Sequence, residues 1–310
     1  MEVIRGVRNL EKSISCALTI GNFDGVHLGH QRLVAKVLEL AKKHQVKSAV
    51  MTFNPHPVQV LYPERELKRL FPFEDQIEQL GKLGIDYLII EPFSRDFSAL
   101  KPAEFLNQWI LKPLHPRAMV VGYDFTFGAN KSGDIDFLKE QSSSAGFELH
   151  IVDAHKEDQI VVSSSQIRKV LGQGDVEQAQ SLLGRRFYLS GNVVKGEGRG
   201  KSIGIPTANV EGHWRTLPTK GVYSVLLVDK GVEYHGVCNI GTKPTFHGDS
   251  SEAPVVEVHI FDFAEDIYGH NVSVEFVSRI RSEQKFSSAE ELVKQINKDI
   301  VQAKEDLKKI

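Results

Sequence analysis

The fold of the first half of the chain is indicated by residues 16–30, which read Cys16-Ala-Leu-Thr-Ile-Gly-Asn-Phe-Asp-Gly-Val-His-Leu-Gly-His30. An apolar run ends in a glycine, and an amphipathic helical pattern follows over residues 32–44. Strand-to-helix junctions of this kind bind phosphates in α/β proteins, because free amide groups and the helix dipole favour negative charge there. The stretch therefore predicts an α/β fold with an anion site at this junction.

Composition sets limits on the class of protein. The 310 residues are 41% hydrophobic and 25% charged, with a net charge of -2, so no overall field would hold a nucleic acid. Only Cys16 and Cys238 are present, which excludes a disulfide framework and fits a reducing cytoplasm. No apolar stretch approaches the length of a membrane helix. We expect a cytoplasmic protein with small-molecule partners, no nucleic-acid or membrane partner, and at most a weak or transient homo-oligomer.

The hydrophobic pattern predicts two domains. In the first half, strands are predicted over residues 16–20, 48–53, 87–90, 118–121 and 149–152, and helices over 32–44, 73–83, 166–171 and 176–183. Alternating strand patterns then follow over 187–194, 222–228, 233–239, 255–261 and 272–277, before a helix over 287–307. We predict a Rossmann-like α/β domain with a parallel sheet at residues 1–184. A small antiparallel β-barrel with a C-terminal helix is predicted at 185–310.

His27 and His30 are the first candidate catalytic residues. They are three apart at a predicted helix start, so their rings project from one face, and Gly29 between them leaves the backbone open to a ligand. Two imidazoles there can donate hydrogen bonds to phosphate oxygens and stabilise the charge that builds up in phosphoryl or nucleotidyl transfer. The alternatives are that both rings are packed in the core, or that they bind zinc, for which no third ligand is evident.

Two further stretches carry polar or aromatic side chains beside predicted elements. Val162-Ser-Ser-Ser-Gln-Ile-Arg168 begins a predicted helix, where hydroxyls and an arginine can hold a phosphate chain, although serines there are more often an ordinary helix cap. Val121-Gly-Tyr-Asp-Phe-Thr-Phe-Gly128 follows a predicted strand at the sheet edge where ligands bind, and its aromatic residues could equally belong to the core.

Together these stretches resemble the adenylyltransferase half of the bifunctional bacterial riboflavin kinase/FAD synthetases, which belong to the His-x-Gly-His nucleotidyltransferases. The resemblance spans residues 15–183 and rests on segments 19–30, 53–57, 122–128 and 163–168, with Ser165 where the family usually has threonine. It implies that His27 and His30 contact ATP phosphates. The other nucleotide-binding residues that it implies are Gly21, Asn22, Phe23, Asp24, Gly29, Ser164 and Arg168. The implied flavin-binding residues are Asn54, Asp124, Phe125 and Phe127.

A glycine-rich tract in the second half, Lys195-Gly-Glu-Gly-Arg-Gly-Lys-Ser202, is not a P-loop. The pattern requires a glycine at Lys195, and the following Ile203-Gly-Ile-Pro206 cannot continue a helix smoothly. The tract predicts a flexible loop that can fold over phosphates, or simply a glycine-rich hairpin.

The segments that follow resemble the riboflavin kinase domain of the same family. They are residues 206–209, 221–223, 239–245, 256–263, 268–269 and 280–286, with departures at Lys201 and Ile205. The resemblance implies that Thr207 and Asn209 bind Mg²⁺ and ATP phosphates and that Glu257 is the catalytic base. It also implies nucleotide contacts from Gly198, Gly200 and Lys201 and a flavin contact from Arg281. The alternatives are a solvent-facing Glu257 and, for Arg281, a surface salt bridge with Glu283.

We therefore expect a bifunctional transferase that phosphorylates riboflavin to FMN and adenylylates FMN to FAD. ATP is the expected co-substrate, and Mg²⁺ is the expected cofactor. Three alternatives stay open at this point: a nucleotidyltransferase for another substrate with an inert barrel, a nucleic-acid module, and a flavin carrier without catalysis. The kinase-like Thr207, Asn209 and Glu257 argue against an inert barrel, and the net charge of -2 argues against nucleic acid.

Overall fold

The computed structural model describes residues 1–196, 198, 200, 203–243 and 253–310. The chain divides into two compact units, Met1–Ser164 and Ser165–Ile310. Among the described residues, no helix is both long and apolar enough to cross a membrane.

The first unit is built on a parallel sheet of six strands in the order β1-β4-β3-β2-β5-β6. Its strands are β1 Glu2–Arg5, β2 Cys16–Ile20, β3 Lys47–Phe53, β4 Tyr87–Glu91, β5 Pro116–Gly122 and β6 Glu148–Val152. All five predicted strands are present, and β1 is an addition at the edge beside β4. The predicted Rossmann-like domain with a parallel sheet is thus confirmed.

Helices cover the sheet and connect its strands. They are α1 Leu28–His44, α2 Pro57–Leu61, α3 Phe73–Lys82, α4 Arg95–Ser98, α5 Pro102–Phe105, a π-helix at Leu106–Leu111, α6 Lys112–Leu114 and α7 Ile135–Ala145. Two 3₁₀ turns lie at Val7–Asn9 and Ala129–Lys131, and a hairpin pairs β7 Lys156–Glu157 with β8 Ile160–Val161. Helix α1 buries Val34, Val37 and Leu40 against the sheet.

The order of the strands places β3 on one side of β2 and β5 on the other, so the loops after β2 and β5 diverge at the carboxyl edge of the sheet. The chain moves from β2 outward through β3 to β4, then returns to place β5 on the other side of β2. Loops that leave β2 and β5 therefore start side by side at the carboxyl edge and diverge, which is where open α/β sheets bind ligands. The stretches containing His27 and Asp124 begin at these two strand ends.

The second unit contains a closed antiparallel barrel in the order β10-β13-β12-β11-β14-β9. The helices that precede it are α8 Ser164–Gln173 and α9 Val176–Leu183. The strands are β9 Tyr188–Val194, β10 Ala208–Glu211, β11 Gly221–Asp229, β12 Val232–Lys243, β13 Ala253–Ile260 and β14 Asn271–Arg281, followed by α10 Ala289–Leu307. The predicted barrel and C-terminal helix are confirmed.

Side chains along each strand alternate between the two faces of the sheet. One set fills the barrel, and the other set forms the outer face on which the helix packs. Val256 and Val258 are fully buried, whereas Glu257 between them points to the other side of β13. Helix α10 packs on β11, β12 and β14. Its start is capped by Ser288, whose hydroxyl accepts the Glu291 amide at 3.2 Å.

Helices α8 and α9 fall in the second compact unit, although the sequence analysis assigns them to the first domain. The Thr219 amide donates to the Leu171 carbonyl at 3.0 Å, and Arg279 Nη1 donates to the Gln173 carbonyl at 3.1 Å. The end of α8 is therefore fixed to the barrel strands. The predicted functional boundary at residue 184 stays a prediction.

Candidate active sites

The loop between β2 and α1 has a strained backbone. Phe23 and Val26 have positive φ angles of 52° and 42°, a conformation that costs a non-glycine residue about 1–3 kcal/mol. The Asn22 carbonyl oxygen holds the loop, because it accepts hydrogen bonds from Thr52 Oγ1 at 3.2 Å and Gln76 Nε2 at 2.9 Å. The loop thereby delivers His27 to the start of α1.

His27 caps α1 and carries the side chain of His30 with it. Its Nδ1 accepts the backbone amide of His30 at 3.3 Å, and the two rings stack with centroids 3.6 Å apart at 15°. Because Nδ1 accepts a hydrogen bond, the proton of the neutral ring lies on Nε2, which can donate to an anion. Both histidines of the predicted motif are thus in one stack at a helix start.

Gly29 and Phe23 support this stack. A Cβ at Gly29 would lie 3.2 Å from His27 Cε1 and Nδ1, so the glycine leaves room for the His27 ring. Phe23 is fully buried and its ring centroid lies 5.0 Å from that of His30. The Phe23 ring therefore packs against the His30 ring, and its predicted nucleotide contact stays a prediction.

Asp24 ties the loop to neighbouring segments. Its buried carboxylate accepts the Leu70 amide at 3.0 Å, and its carbonyl accepts the hydroxyl of Ser164 at 2.8 Å. Burial lowers the pKa of Arg69 beside it, and the negative charge of Asp24 partly opposes that effect. Ser164, the last residue of the first unit, thus holds the loop that carries His27.

The remaining predicted nucleotide contacts of this domain differ in their surroundings. Gly21 continues β2, with its amide donating to the Met51 carbonyl at 3.1 Å, and the Asn22 side chain is exposed. On α8, Arg168 Nη2 donates to Ser165 Oγ at 3.4 Å, so Ser165 and Arg168 face the same side of that helix.

The predicted flavin residues lie at the ends of β3 and β5. Asn54 and Asp124 are exposed, and the rings of Phe125 and Phe127 stack with centroids 5.5 Å apart. Phe127 also contacts Phe105 at 5.5 Å, so these rings are partly core, as the alternative interpretation holds.

Phe125 and Phe127 belong to a longer series of contacting aromatic rings, the aromatic chain, which the sequence did not predict. Phe53 at the end of β3 contacts Phe93 and Phe97 at centroid distances of 5.7 and 6.0 Å, and Phe97 contacts Phe105 at 5.8 Å. The available signal was the position of Phe93 just after a predicted strand, at the edge where the other site residues lie.

A cavity of about 500 Å³ lies on the outer face of the barrel. It brings together Gly198, Gly200, Thr207, Asn209, Glu257 and Arg281, which are predicted kinase-site residues. Lys201 lies outside the described residues. Lining residues that the sequence analysis did not assign include Asn239, Thr242, His259, Gln284, Phe286, Leu292, Ile296 and Asp299.

Strand register places Glu257 in a polar row within this cavity. It pairs directly with Asn209 on one side and Asn239 on the other, so all three side chains share one face of the sheet. Glu257 is half-buried rather than fully solvent-facing. Asn239 could have been found from sequence, since it lies in a segment already matched to the family.

Gly200 lies close to Thr207. A Cβ at Gly200 would overlap the Ile205 carbonyl oxygen and lie 3.3 Å from Thr207 Oγ1. His259 Nδ1 lies 2.8 Å from the Pro206 carbonyl oxygen, which links β13 to the residue before Thr207. The Thr207 hydroxyl and the Asn209 amide are therefore lining groups of one polar wall.

Arg281 has a partner that the sequence analysis did not identify. Its Nε and Nη2 donate to the carboxylate of Asp299 on α10, at 2.9 and 2.7 Å, and this carboxylate is buried. The alternative of a surface pair with Glu283 is wrong. A bidentate pair with a buried carboxylate fixes the guanidinium, so Arg281 joins β14 to α10.

The oxygen-rich wall suits a hard cation better than a transition metal. Within the part of the chain that the structure describes, no group of three or more His, Cys, Asp or Glu side chains could hold a metal ion. Mg²⁺ is bound through one or two protein oxygens together with phosphates and water, which fits the donors of Thr207, Asn209 and Glu257. The zinc alternative for His27 and His30 has no support in these residues.

Comparison with known proteins identifies the family. A sequence profile described as FAD synthetase matches residues 9–166, and one described as riboflavin kinase matches residues 183–307. A bifunctional riboflavin kinase/FMN adenylyltransferase of Bacillus subtilis is 40% identical over 292 residues, which cover 93% of this chain and 92% of the relative. The chain belongs to this family. The Escherichia coli K12 member is 37% identical over 308 residues, covering 98% and 97% of the two chains.

The two family profiles follow the order that the sequence predicts, with the FAD synthetase part first. The resemblance and the assignment to a family of transferases acting on riboflavin, FMN and ATP are thus confirmed. The crystal structure of a protein named macrolide-efflux protein from Streptococcus pneumoniae has the same fold, with a TM-score of 0.89 and 32% identity. The match covers 98% of this chain and 99% of that one.

Proposed function

We propose that the barrel cavity phosphorylates riboflavin and that the carboxyl edge of the parallel sheet adenylylates the resulting FMN. The observation that carries the proposal is the row Asn209, Glu257, Asn239 in a cavity that Thr207 also lines. A carboxylate among hydroxyl and amide oxygens, beside a glycine-rich loop, is the set of groups that phosphoryl transfer to an alcohol requires.

In the kinase reaction, Glu257 acts as the general base. Its carboxylate accepts the proton of the terminal ribityl hydroxyl of riboflavin while that oxygen attacks the γ-phosphorus of ATP. A bond forms between oxygen and phosphorus, the bond to the β-phosphate bridging oxygen breaks, and ADP leaves. Thr207 and Asn209, which line the same polar wall as Glu257, orient the phosphates.

Thr207 and Asn209 are also the residues that would hold Mg²⁺, with phosphate oxygens completing the coordination. When bound, the ion neutralises charge on the phosphate chain. The support for this assignment is the oxygen chemistry of the donors and their common wall.

In the adenylyltransferase reaction, His27 and His30 stabilise the charge on the triphosphate. Nε2 of His27 carries the proton in the tautomer that its capping bond selects, so it can donate to a phosphate oxygen. A phosphate oxygen of FMN attacks the α-phosphorus of ATP, and pyrophosphate leaves. No protein nucleophile is needed, because positioning and charge stabilisation are sufficient. Ser164 and Arg168 contribute further phosphate contacts from α8, and Asp124 with Phe125 and Phe127 holds the flavin.

We propose that the protein is cytoplasmic, a location that its two free, buried cysteines fit. Burial raises the pKa of the Cys16 thiol to about 12, so that group is unreactive at neutral pH.

The direct test incubates the purified full chain with riboflavin, ATP and MgCl₂ and separates riboflavin, FMN and FAD by chromatography. We expect FMN to form first and FAD to follow. Excess EDTA should abolish both products if Mg²⁺ is required. Formation of FMN without FAD, even when FMN is supplied, would remove the adenylyltransferase assignment, and no consumption of riboflavin would remove the kinase assignment.

A further inference from the structure

A hydrogen bond from a glutamine to the aspartate four residues later occurs twice on one face of helix α10. Gln295 Nε2 donates to Asp299 at 2.8 Å, and Gln302 Nε2 donates to Asp306 at 2.9 Å. The two carboxylates are seven residues apart, a spacing that puts them on the same side of the helix toward the barrel. Their partners on the barrel differ, and so does their position relative to the cavity.

Asp306 is an anchor away from the cavity. Its carboxylate accepts the hydroxyl of Ser224 on β11 at 3.0 Å and that of Ser278 on β14 at 2.7 Å. Asp306 is absent from the residues that line the cavity. It therefore joins the C-terminal end of α10 to the barrel without touching the proposed substrate site.

Asp299 lies at the cavity and holds Arg281. The pair is nearly closed to solvent, with exposed side-chain fractions of 3% for Asp299 and 15% for Arg281. Arg281 also donates from Nη1 to the Ser282 carbonyl at 3.0 Å, and its guanidinium lies 5.7 Å from the centre of the Phe286 ring. Arg281 thus contacts both ends of residues 282–286, the segment after β14 that we call the wall segment.

The wall segment lines the cavity through Glu283, Gln284 and Phe286. Its Phe286 ring joins Leu292 and Ile296 of α10 on an apolar side of the cavity, whereas Thr207 and Glu257 line a polar side. A flat aromatic ring system with a polar chain would place its ring against the first side and its hydroxyl near the second. The position of the wall segment therefore decides how well a flavin ring is held.

We propose that Asp299 is a positioning residue for riboflavin in the kinase reaction, acting through Arg281 on the wall segment. The inference rests on the proposed kinase function of the cavity. Asp299 does not act on the reacting atoms, so it should affect the binding of riboflavin and leave the chemical step largely unchanged. Asp306 supplies the matched case of a carboxylate that anchors the same helix but does not position the wall.

The Asp299→Asn variant separates the positioning of the wall segment from the anchoring of helix α10. An amide has one acceptor oxygen and an NH₂ group, so Asp299→Asn cannot accept the guanidinium on two separate oxygens and leaves Arg281 without its counter-charge. The wall segment then loses its fixed position while the helix keeps its other anchor. We expect the KM for riboflavin to rise about 10-fold and kcat to change less than about threefold, as for a loss of ground-state binding.

The experiment measures kcat and KM for riboflavin, and FAD formation from supplied FMN, in Asp299→Asn, Asp306→Asn and Arg281→Met variants and in the Asp299→Asn/Arg281→Met double variant. Thermal melts of each variant report folding. Asp299→Asn should raise KM and leave FAD formation from FMN unchanged, whereas Asp306→Asn should lower Tm with an unchanged KM. The double variant should resemble Arg281→Met alone, since Asp299 acts through Arg281.

Equal KM values in Asp299→Asn and the unsubstituted protein, or equal KM increases in both aspartate variants, would overturn the proposal. Additive effects in the double variant would overturn the route through Arg281. If Asp299→Asn does not fold, Arg281→Lys takes its place, because lysine keeps the charge but loses the bidentate pair, and the same rise in KM is expected. Absence of kinase activity in the unsubstituted protein would instead remove the proposed function itself.

Discussion

His27 and His30 form a stacked pair in which the first ring caps the helix that carries the second, with Nδ1 of His27 3.3 Å from the His30 amide nitrogen. The hydrogen bond fixes the tautomer of His27, and the stack fixes the orientation of its ring. Both rings are therefore held in one arrangement, which would lower the cost of organising them in the proposed adenylyl transfer.

Substitution of Gly29 should disturb this pair. In Gly29→Ala the new Cβ would lie 3.2 Å from the His27 ring, so the ring must shift and its capping bond weakens. We expect FAD formation from FMN to fall about 10-fold, with little change in FMN formation. Gly172→Ala is the control, because that helical glycine has nothing within 4 Å of a new Cβ. Formation of FAD by Gly29→Ala at the rate of the unsubstituted protein would show that the position of the His27 ring is not critical.

Ser164 should matter through its hydroxyl. Ser164→Ala removes the 2.8 Å hydrogen bond to the Asp24 carbonyl and should lower FAD formation about 10-fold, while destabilising the fold by only about 1 kcal/mol. Ser144→Ala is the matched control, since the Ser144 hydroxyl donates to Gln141 within an exposed helix. Steady-state assays with supplied FMN check this, and equal rates in the two variants would contradict it.

Glu91 is a buried carboxylate that should contribute to stability. It accepts the Val7 amide at 2.7 Å and Trp109 Nε1 at 3.0 Å, and burial raises its pKa despite these bonds. Glu91→Gln replaces one acceptor by a donor and should lower the free energy of unfolding by about 1–3 kcal/mol in urea titrations. Glu39→Gln should have little effect, because Glu39 pairs with Lys36 at an exposed site. Equal losses would contradict the role of Glu91.

The raised pKa of Glu91 also gives a pH dependence. Between the ordinary value of 4.5 and the raised folded pKa, the folded state binds more protons than the unfolded state. The stability that Glu91 gains from holding its proton in the folded state is therefore fully present below pH 4.5. It is lost as the pH rises through the folded pKa. The difference in unfolding free energy between the unsubstituted protein and Glu91→Gln should change over that interval, and a constant difference would argue against it.

Asp306 should show the opposite dependence. Burial alone would raise its pKa, but hydrogen bonds from Ser278, Gln302 and Ser224 outweigh burial and hold the pKa below its ordinary value of 3.8. Its contribution is present above pH 3.8 and is lost as the pH falls through the lowered pKa. Urea titrations should therefore show a smaller acid destabilisation in Asp306→Asn than in the unsubstituted protein. An identical acid slope would contradict this.

Much of the fold follows from local patterns, and the exceptions have physical causes. Strand β10 has four residues, and β1 buries only Ile4, so neither gives a clear alternation. Helix α7 contains three consecutive serines and buries only Leu138, which leaves almost no apolar stripe. These elements form because neighbouring strands and helices supply partners that local sequence does not record.

The candidate sites were predictable where a motif is contiguous and not where partners come from distant elements. The stretch holding His27 and His30 is continuous in sequence, and so is the segment with Thr207 and Asn209. Asp299 lies eighteen residues after Arg281 on another element, and nothing in a helical pattern singles out one carboxylate as the partner. The aromatic chain through Phe97 likewise depends on how separate segments pack.

We propose two separate sites in one chain that catalyse successive steps on a flavin. The most direct measurement compares the flavin products of His27→Ala and Glu257→Gln, each supplied with ATP, MgCl₂ and either riboflavin or FMN. His27→Ala should accumulate FMN from riboflavin and form no FAD, whereas Glu257→Gln should leave riboflavin unchanged and still convert FMN to FAD. Loss of both activities in either folded variant would contradict the account.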